Sequence, residues 1–403
     1  MHKRTLKYLL IGLLLLLNTS WLTATVKPLS EQAQISMLIG EPFEGEFASA
    51  FGHIGLRVID PAINIDYVLN YGVPHVRSEL SNYFRLFQGH LVSELYAVPF
   101  PEAIKEYQQR QRQLSELVLN LSYQEKEFFW QSLMAVVQGK QHSYYNLLTH
   151  NCTALPLELL EATIRQPLRL PELDGKESYR TLINPYLKST PWLDFIINLS
   201  YGWENEHPVS DRELFCLPDY VQQALLTTNL TDSAGNTYPL VASTTILIPS
   251  CTKVFKPSFF TPVHCAWILL TLVMAVSLLE GKNRRLYRLT DVVLFGIAGL
   301  AGIYLSYLVF GINQWYTTPT WWILWLHPLH LLGAVWSGAK RFDRLAVYYH
   351  IFNLTAVSVM LVGTCFIHEY YHPAYAPLII ILALRSGIRV FNYYNNYFKI
   401  HLS

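Results

Sequence analysis

Apolar and polar positions divide the chain into three parts. A continuous apolar run from Tyr8 to Leu17 follows three early cations and precedes small and polar residues near Ala24. The next part, residues 31–258, mixes apolar and polar positions and has no apolar run of about 18 residues, the length that crosses a membrane. After Pro262 long apolar runs dominate. The pattern predicts a leader, one exported domain and a membrane-embedded part.

The leader, residues 1–24, has the cations, apolar stretch and small residues of a secretory signal peptide, with an uncleaved N-terminal anchor as the alternative. The later apolar runs lie at about residues 263–279, 290–311, 320–337, 346–367 and 374–386, the last of them short. We therefore expect about five transmembrane helices in residues 263–386 and a tail at 387–403.

Charged loops predict how these helices are oriented. Lys and Arg concentrate after the first, third and fifth apolar runs, in "GKNRRLYR", "KRFDR" and "RSGIR". The intervening loops, "INQWYTTP" and "HEYYHPAY", contain neither residue. Because cations favour the cytoplasmic side, residues 31–258 are expected outside the cytoplasm and residues 387–403 inside it.

Local patterns in the exported domain predict strands first and helices afterwards. "AQISMLIG", "HIGLRVID", "IDYVLNYG" and "HLVSELYAVPF" have strand character, and "EAIKEYQQRQRQLSEL" is interpreted as a helix. Ser122 and Glu125 form a capping box at the start of a second helix. A third helix begins near Cys152 and carries apolar residues on one face. This order predicts an α+β fold followed by an all-α membrane bundle.

Composition excludes several functions. The chain has 30 Lys and Arg against 29 Asp and Glu, so no basic surplus indicates nucleic-acid binding. Five cysteines are too few and too scattered for a disulfide scaffold, and no Cys-x-x-Cys pair indicates zinc. Each cysteine is therefore judged by its neighbours.

Cys152, in "YYNLLTHNCTALP", is the candidate nucleophile. Pro156 resists deep helix positions, so the helix can hardly begin much before Cys152. The unpaired amides and dipole at a helix start lower a thiol pKa and favour the nucleophilic thiolate. His53, flanked by Gly52 and Gly55 in "ASAFGHIGLRV", is the candidate base. From the residues alone, a buried cysteine and an ordinary histidine remain the alternative.

A family resemblance strengthens this pair. "ISMLIGEPFEGEFASAFGHIGLRVID", "IDYVLNYG" and "THNCTALPLELLE" resemble the exported domain of Lnb, the lipoprotein N-acyltransferase of the Bacteroides type. "TTPTWWILWLHPLHLL" and "APLIIILALR" resemble the membrane half of the same family, so the resemblance covers nearly the whole chain. It implies a permuted papain-like, or NlpC/P60-like, thiol fold, similar in layout to lecithin-retinol acyltransferase.

The resemblance also implies roles for residues. Cys152 becomes the nucleophile and His53 its base. Strand alternation places Asp66 and Asn70 on one face, so either could orient the imidazole, while Asn151 or a nearby backbone amide could bind an oxyanion. The alternative for Asn70 is a strand that merely ends in a turn.

The remaining motifs are interpreted without catalysis. Cys216 and Cys251 can form a disulfide in an oxidising compartment, whereas Cys265 and Cys365 are interpreted as packing residues of membrane helices. "HEYYH", residues 368–372, matches a zinc signature, but Pro373 follows at once and no third ligand is evident. We interpret it and "HPLH", residues 327–330, as polar membrane-region residues and expect neither metal nor cofactor.

The predicted function follows from the resemblance. It implies a thiol-dependent acyltransferase in the bacterial inner membrane, with its catalytic domain in the periplasm. A phospholipid would donate an acyl chain, through a Cys152 thioester, to the α-amino group of a diacylated lipoprotein. The expected partners are these two lipids and the bilayer, not nucleic acid. A membrane-tethered cysteine peptidase or peptidoglycan amidase is the alternative, and a binding module with an inert Cys152 is a third reading.

Overall fold

The structure is a computed structural model that describes residues 26–43, 49–74, 79–139, 143–169, 177–232, 234–250, 259–279, 283–312, 315–317, 320–367 and 369–401. The predicted leader, residues 1–24, lies outside the described residues. The predicted fold class is confirmed: an N-terminal α+β domain with a large sheet precedes a helical membrane region.

A seven-stranded antiparallel sheet organises the exported domain, with strand order β6-β4-β3-β2-β1-β5-β9. A separate hairpin pairs β7 with β8. The strands are β1 Gln34–Gly40, β2 His53–Asp60, β3 Ile65–Pro74, β4 Val92–Pro99, β5 Leu114–Leu119, β6 Ser143–Tyr144, β7 Asn229–Thr231, β8 Thr237–Pro239 and β9 Val241–Ile248.

Helices alternate with the strands in the exported domain and then form the membrane region, so the predicted order of strands first and helices afterwards is wrong. Those of the exported domain are α1 Glu79–Phe87, α2 Phe100–Arg110, α3 Tyr123–Gln138, α4 Ala154–Ile164, α5 Tyr179–Leu187, α6 Pro191–Ser200 and α7 Pro218–Thr227. Those of the membrane region are α8 Pro262–Leu279, α9 Arg284–Ser306, α10 His330–Gly338, α11 Asp343–Gly363 and α12 Tyr375–His401.

Helices cover both faces of the sheet because alternate residues of its central strands are apolar on both sides. Met37 and Ile39 of β1 pack into the main core with α3, α4 and α7. Leu38, between them, packs on the opposite face against α2 and β4. The period of two along each strand separates these environments. His53 falls on the α2 side, because the neighbouring Ile54 belongs to the main core.

The interpretation of "EAIKEYQQRQRQLSEL" as one helix is wrong at its end. Helix α2 stops at Arg110, and Gln111 adopts a left-handed conformation with φ of 52°. The following "LSEL" belongs to β5, which pairs with both β1 and β9. Pairing with neighbouring strands thus places "LSEL" in the sheet, although the local pattern predicts that the helix continues through it. The predicted capping box is confirmed: Glu125 accepts a 2.8 Å hydrogen bond from the Ser122 amide.

Four described helices are long and apolar enough to cross a membrane: Pro262–Leu279, Arg285–Gly311, Lys340–Gly363 and Tyr375–Asn395. The third predicted span, residues 320–337, is not one continuous helix. It consists of a 3-10 turn, Trp321–Leu324, and the nine-residue α10, with Pro328 between them. Pro328 interrupts the helix because it lacks an amide hydrogen.

This broken segment still joins the two ends of the bundle. At one end, the Thr320 hydroxyl and the Trp321 amide bond to Glu369, beyond the end of α11. At the other end, the Ser337 carbonyl accepts hydrogen bonds from Arg288 and Arg389. The segment therefore extends from one end of α11 to the other.

The last helix is longer than predicted. Helix α12 continues to His401, so most of the expected tail, residues 387–403, extends the final helix. Its polar end, "NYYNNYFKIH", follows the apolar part of the same helix.

The exported domain packs directly on one end of the membrane bundle. A second hydrophobic core combines Ile183 and Ile197 of α5 and α6 with Leu308, Ile312 and Tyr316 after α9. Hydrogen bonds reinforce this contact, because the Tyr316 carbonyl accepts from the Gly202 amide and the Asn205 side chain, at 3.0 and 2.7 Å. The two halves form one continuous packed structure.

Candidate functional site

A cavity of about 620 Å³ lies on the α2 side of the sheet, between the sheet and the start of α4. Its walls are mostly apolar, and both candidate catalytic residues, Cys152 and His53, line it. Apolar residues from the sheet, from α1 and its end, and from the loop before α4 form much of the wall: Leu38, Leu86, Leu91, Val68, Val98, Leu114, Leu147 and Leu148. Such a cavity suits a ligand with a long apolar part.

Asn151 fixes Cys152 at the start of α4. Its side-chain oxygen accepts hydrogen bonds from the amides of Thr153, at 2.9 Å, and Ala154, at 2.8 Å. Its side-chain amide donates to two backbone carbonyls, one of them that of Cys216. Asn151 therefore satisfies amides at the helix start, and its amide hydrogens are already donated. The predicted oxyanion role for this side chain is not supported by this geometry.

His53 stands at the beginning of β2 and is held by Asn70 of β3. His53 Nε2 lies 2.9 Å from Asn70 Oδ1, so the ring donates from Nε2 and Nδ1 remains for the thiol. The close approach depends on Gly55, because a Cβ there would lie 3.1 Å from Asn70 Oδ1 and 3.0 Å from Val68 Cγ1. The glycine beside the histidine thus gives the orienting amide room.

Cys152 and His53 both line the cavity, and each shifts the pKa of the other. Burial alone would raise the pKa of the Cys152 thiol, but the His53 charge and hydrogen bonds from His53, Thr153 and the Ile54 amide lower it to about 7. Burial likewise opposes a charged His53, yet the facing thiolate and Asn70 raise the pKa of the imidazole. The two groups favour a thiolate–imidazolium pair near neutral pH.

Tyr145 is a site residue that the sequence analysis missed. It lines the cavity together with Cys152, and burial followed by the thiolate charge raises the pKa of this phenol well above its usual value. Gly72 makes the arrangement possible, because it has φ of 81° and a Cβ there would lie 2.7 Å from the Tyr145 ring. The glycine of the Asn-Tyr-Gly motif is visible in the sequence, but only the fold shows that it faces Tyr145.

Asp66 lies on the same face of β3 as Asn70, as the alternation predicted, but it contacts a different partner. Arg57 donates to both of its carboxylate oxygens, at 2.8 and 2.9 Å, and also binds Glu116. Asp66 therefore belongs to an ion-pair cluster along the sheet, and Asn70 is the residue placed against His53. His150 is exposed and bonds to the neighbouring Thr149 hydroxyl at 3.1 Å.

Cys216 is buried and lines the cavity, and burial raises the pKa of its thiol to about 12. Cys251 lies outside the described residues, so the Cys216–Cys251 disulfide stays a prediction.

The "HEYYH" segment connects the two halves of the protein. Glu369 accepts hydrogen bonds from Thr320 at 2.6 Å and from the Trp321 amide at 3.0 Å. His372 is buried and lies 3.4 Å from Asp194 of α6. His368 lies outside the described residues. Among those that are described, no group of three or more His, Cys, Asp or Glu side chains could hold a metal ion.

The fold and the site together define a class: a multi-pass membrane protein whose extramembrane α+β domain pairs a cysteine with a histidine in an apolar cavity. Two family models match the chain, the Lnb N-terminal periplasmic domain over residues 18–185 and the Lnb transmembrane domain over residues 254–396. The protein belongs to the Lnb family. No curated protein and no solved structure matches it. Membership indicates a membrane enzyme of lipoprotein processing.

Proposed function

We propose that the protein is a lipoprotein N-acyltransferase that works through a thioester on Cys152. The observation that carries the proposal is the Cys152–His53–Asn70 arrangement inside an apolar cavity. A lowered thiol pKa supplies the nucleophile at neutral pH, and the cavity walls suit an acyl chain. Family membership supports lipoprotein processing as the context.

In the first half of the reaction, the Cys152 thiolate attacks an ester carbonyl of a phospholipid. The tetrahedral intermediate collapses by breaking the ester C–O bond, and the His53 imidazolium gives its proton to the departing oxygen, which becomes the hydroxyl of the lysophospholipid. The acyl chain remains on Cys152 as a thioester. The Tyr145 hydroxyl and the Ile54 amide, which both act on the pKa of the cysteine or share its surroundings, would be the donors to the developing oxyanion.

In the second half, the neutral α-amino group of a diacylated lipoprotein cysteine attacks the thioester. His53 takes the amine proton, and the thiolate leaves as the amide forms. Water must be kept from the thioester meanwhile, and an apolar cavity reduces its access. A peptidase or amidase would differ in its acceptor, because water would replace the amine.

The position of the cavity supports lipid substrates. Leu86 of α1 lines the cavity, and its carbonyl accepts a 3.5 Å hydrogen bond from the Tyr316 hydroxyl beyond α9. Gln88, just after α1, donates to the Tyr307 hydroxyl at the end of α9. One cavity wall therefore rests on the end of a membrane helix, where both lipid substrates would be delivered.

The proposal is tested in cells that lack any other N-acylating enzyme. Wild-type protein and a His150→Ala control are expected to give N-acylated lipoproteins, whereas Cys152→Ala and His53→Ala give only diacylated ones, as read by mass spectrometry of lipopeptides. N-acylated lipoproteins in the Cys152→Ala strain would refute the mechanism. Release of free fatty acid without N-acylation would favour water as the acceptor.

A further inference from the structure

Arg112 places a positive charge in the wall of the catalytic cavity. It lies between α2 and β5, is only 3% exposed, and lines the same cavity as Cys152 and His53. Its Nε donates to the Glu41 carbonyl. Its backbone amide donates to the Tyr107 carbonyl at 3.0 Å, so the residue is held from both its backbone and its side chain.

The charge of Arg112 is poorly compensated. Its ion-pair partner is Glu106, at 4.0 Å from Nη1, and the Glu106 side chain is half exposed. The guanidinium carbon lies 4.9 Å from the centre of the Tyr107 ring. Within the described part of the chain, Arg112 Nη2 is buried and has no hydrogen-bond partner. A buried guanidinium whose carboxylate partner lies 4.0 Å away and is half exposed is costly, so this site is suited to an anion.

Two other buried arginines that the structure describes, Arg180 and Arg385, lie close to carboxylates. Arg180 lies 2.6 Å from Glu206 and also bonds to Asn198 at 2.7 Å. Arg385 lies 2.8 Å from Asp291 in the membrane bundle. These arginines meet the usual requirement that buried charges be matched by close partners. Arg112 departs from it, and it does so inside the cavity that holds the reactive thiol.

We propose that Arg112 binds the phosphodiester of the phospholipid that donates the acyl chain. The inference rests on the proposed function and specifies how the donor is held. A guanidinium presents two parallel donors that match phosphate oxygens, and Nη2 is available for one of them. The phosphate would lie at the Arg112 side while the apolar walls receive the acyl chain, which directs the ester carbonyl toward Cys152.

The electrostatics of the pair are consistent with this role. After burial and the contacts with Cys152 and Asn70, the Arg112 charge acts to lower the pKa of His53. A bound phosphate would offset that charge and leave the imidazolium more stable. Donor binding would thereby favour the thiolate–imidazolium pair at the moment when a thiolate is needed.

The test uses full-length protein in detergent micelles and measures alkylation of Cys152 by iodoacetamide, read by peptide mass spectrometry. The probe is a dialkyl ether phosphatidylglycerol, which carries the phosphate but no ester to cleave. Dialkylglycerol, which lacks the phosphate, is its matched control. The ether phospholipid is expected to protect Cys152 of the wild type at concentrations about 10- to 100-fold lower than in Arg112→Gln. Dialkylglycerol is expected to protect both proteins equally.

Further variants separate phosphate binding from a structural role. In Arg112→Lys, which keeps the charge, the ether phospholipid should protect Cys152 at concentrations between those for the wild type and Arg112→Gln. In Glu106→Gln it should protect Cys152 at the same concentrations as in the wild type or at lower ones. Arg112→Gln should melt within a few degrees of the wild type. A large fall in melting temperature, or equal loss of protection by both lipids, would show that Arg112 is structural and overturn the proposal.

Two further outcomes would also overturn it. Equal protection of wild type and Arg112→Gln by the ether phospholipid would mean that Arg112 does not contact the phosphate. Protection of the wild type by inorganic phosphate at the same concentration would identify a site for free phosphate rather than for a lipid headgroup. Because alkylation needs no acyl transfer, these results are independent of whether lipoproteins are the acceptor.

Discussion

The reactivity of Cys152 depends on one facing imidazole rather than on its position alone. Burial favours the neutral thiol, but the His53 charge together with hydrogen bonds from His53, Thr153 and the Ile54 amide outweighs it, so the thiol pKa falls to about 7. The alkylation rate of Cys152 should therefore rise between about pH 6 and pH 8, with a midpoint near 7. In His53→Ala the imidazole charge is lost while burial still raises the thiol pKa. The midpoint of the alkylation profile should therefore move above the ordinary thiol value of about 8.5.

This pH profile is measured by iodoacetamide labelling of the Cys152 peptide. His150→Ala is the control, because His150 is exposed and bonds to Thr149. A midpoint that stays near 7 without His53 would contradict the pairing.

Asn70 acts through His53, and its removal should affect the orientation of the imidazole rather than the charge of the imidazole alone. In Asn70→Ala the imidazole loses its 2.9 Å hydrogen bond and is free to rotate away from the thiol. We expect a loss of roughly 100-fold in the acylation rate, the size of effect that small misplacements produce. Asp66→Asn is the matched change on the same strand face, and it should leave the acylation rate nearly unchanged. Equal losses in both variants would contradict a specific role for Asn70.

Individual site residues could be predicted from the sequence where a local motif marks them. They could not be predicted where only the fold brings them together. Pro156 placed Cys152 at a helix start, and strand alternation limited the orienting residue to Asn70 or Asp66. The choice between them depended on Arg57, whose ion pair with Asp66 forms only when β2 and β3 lie side by side. Tyr145 and Arg112 were missed because both lie in stretches interpreted for other features, and the fold alone brings them to the cavity.

Strand β3 carries the site because it is irregular near its end. The pairing of β3 with β4 shifts register between Asn70 and Val73, and Gly72 lies inside that bulge. Bulges of this kind redirect side chains near functional sites. The strand thus delivers Asn70 to His53 and leaves space for Tyr145 beyond it.

Gly72→Ala tests this strand. The added Cβ would enter a left-handed backbone position and would lie 2.7 Å from the Tyr145 ring. We expect a destabilisation of about 1 to 3 kcal/mol and a displaced Tyr145, with a clear fall in acylation rate. Thermal unfolding and the acylation assay measure the two effects. Gly235→Ala, at φ of 87° with open space around its Cβ, is the control and should lose stability but retain activity.

Element boundaries show where sequence patterns fail. The polar helix after residue 102 was extended too far, because "LSEL" completes a sheet whose partners are distant in the chain. The third membrane run has the length of a span, yet it is broken around Pro328. Its neighbour α9 accepts the broken segment closely, since Gly299 and Gly302 face the backbones of Leu331 and His327. Hydropathy alone contains no information on that packing.

The whole molecule is an extramembrane catalytic domain resting on a membrane bundle. The second hydrophobic core and the bonds around Tyr316 join the two parts, so the cavity is held at a fixed place beside the lipid boundary. The order of exported domain and membrane part along the chain, and the fold class, were predictable because charge, hydropathy and motif order can be read directly from the sequence. The docking of one half on the other was not, since its residues are dispersed over both halves.

The orientation of the molecule can be tested with single cysteines. Asn236, an exposed residue of the exported domain, and Asn283, an exposed residue between α8 and α9, should lie on opposite sides of the membrane. A membrane-impermeant maleimide applied to spheroplasts should label Asn236→Cys and spare Asn283→Cys until the membrane is opened. Both substitutions would be made with the native cysteines removed. The reverse labelling would contradict the predicted topology.

The most direct measurement is the mass of the Cys152 peptide after the purified full-length protein has been incubated with phospholipid alone. The account predicts a thioester-linked acyl chain on Cys152, removed by neutral hydroxylamine and transferred to the α-amino group of a diacylated lipopeptide when one is added. Cys152→Ser is expected to form an oxygen ester more slowly, and Cys152→Ala is expected to carry no acyl chain. An unmodified Cys152 together with continued N-acylation of the lipopeptide would contradict the account.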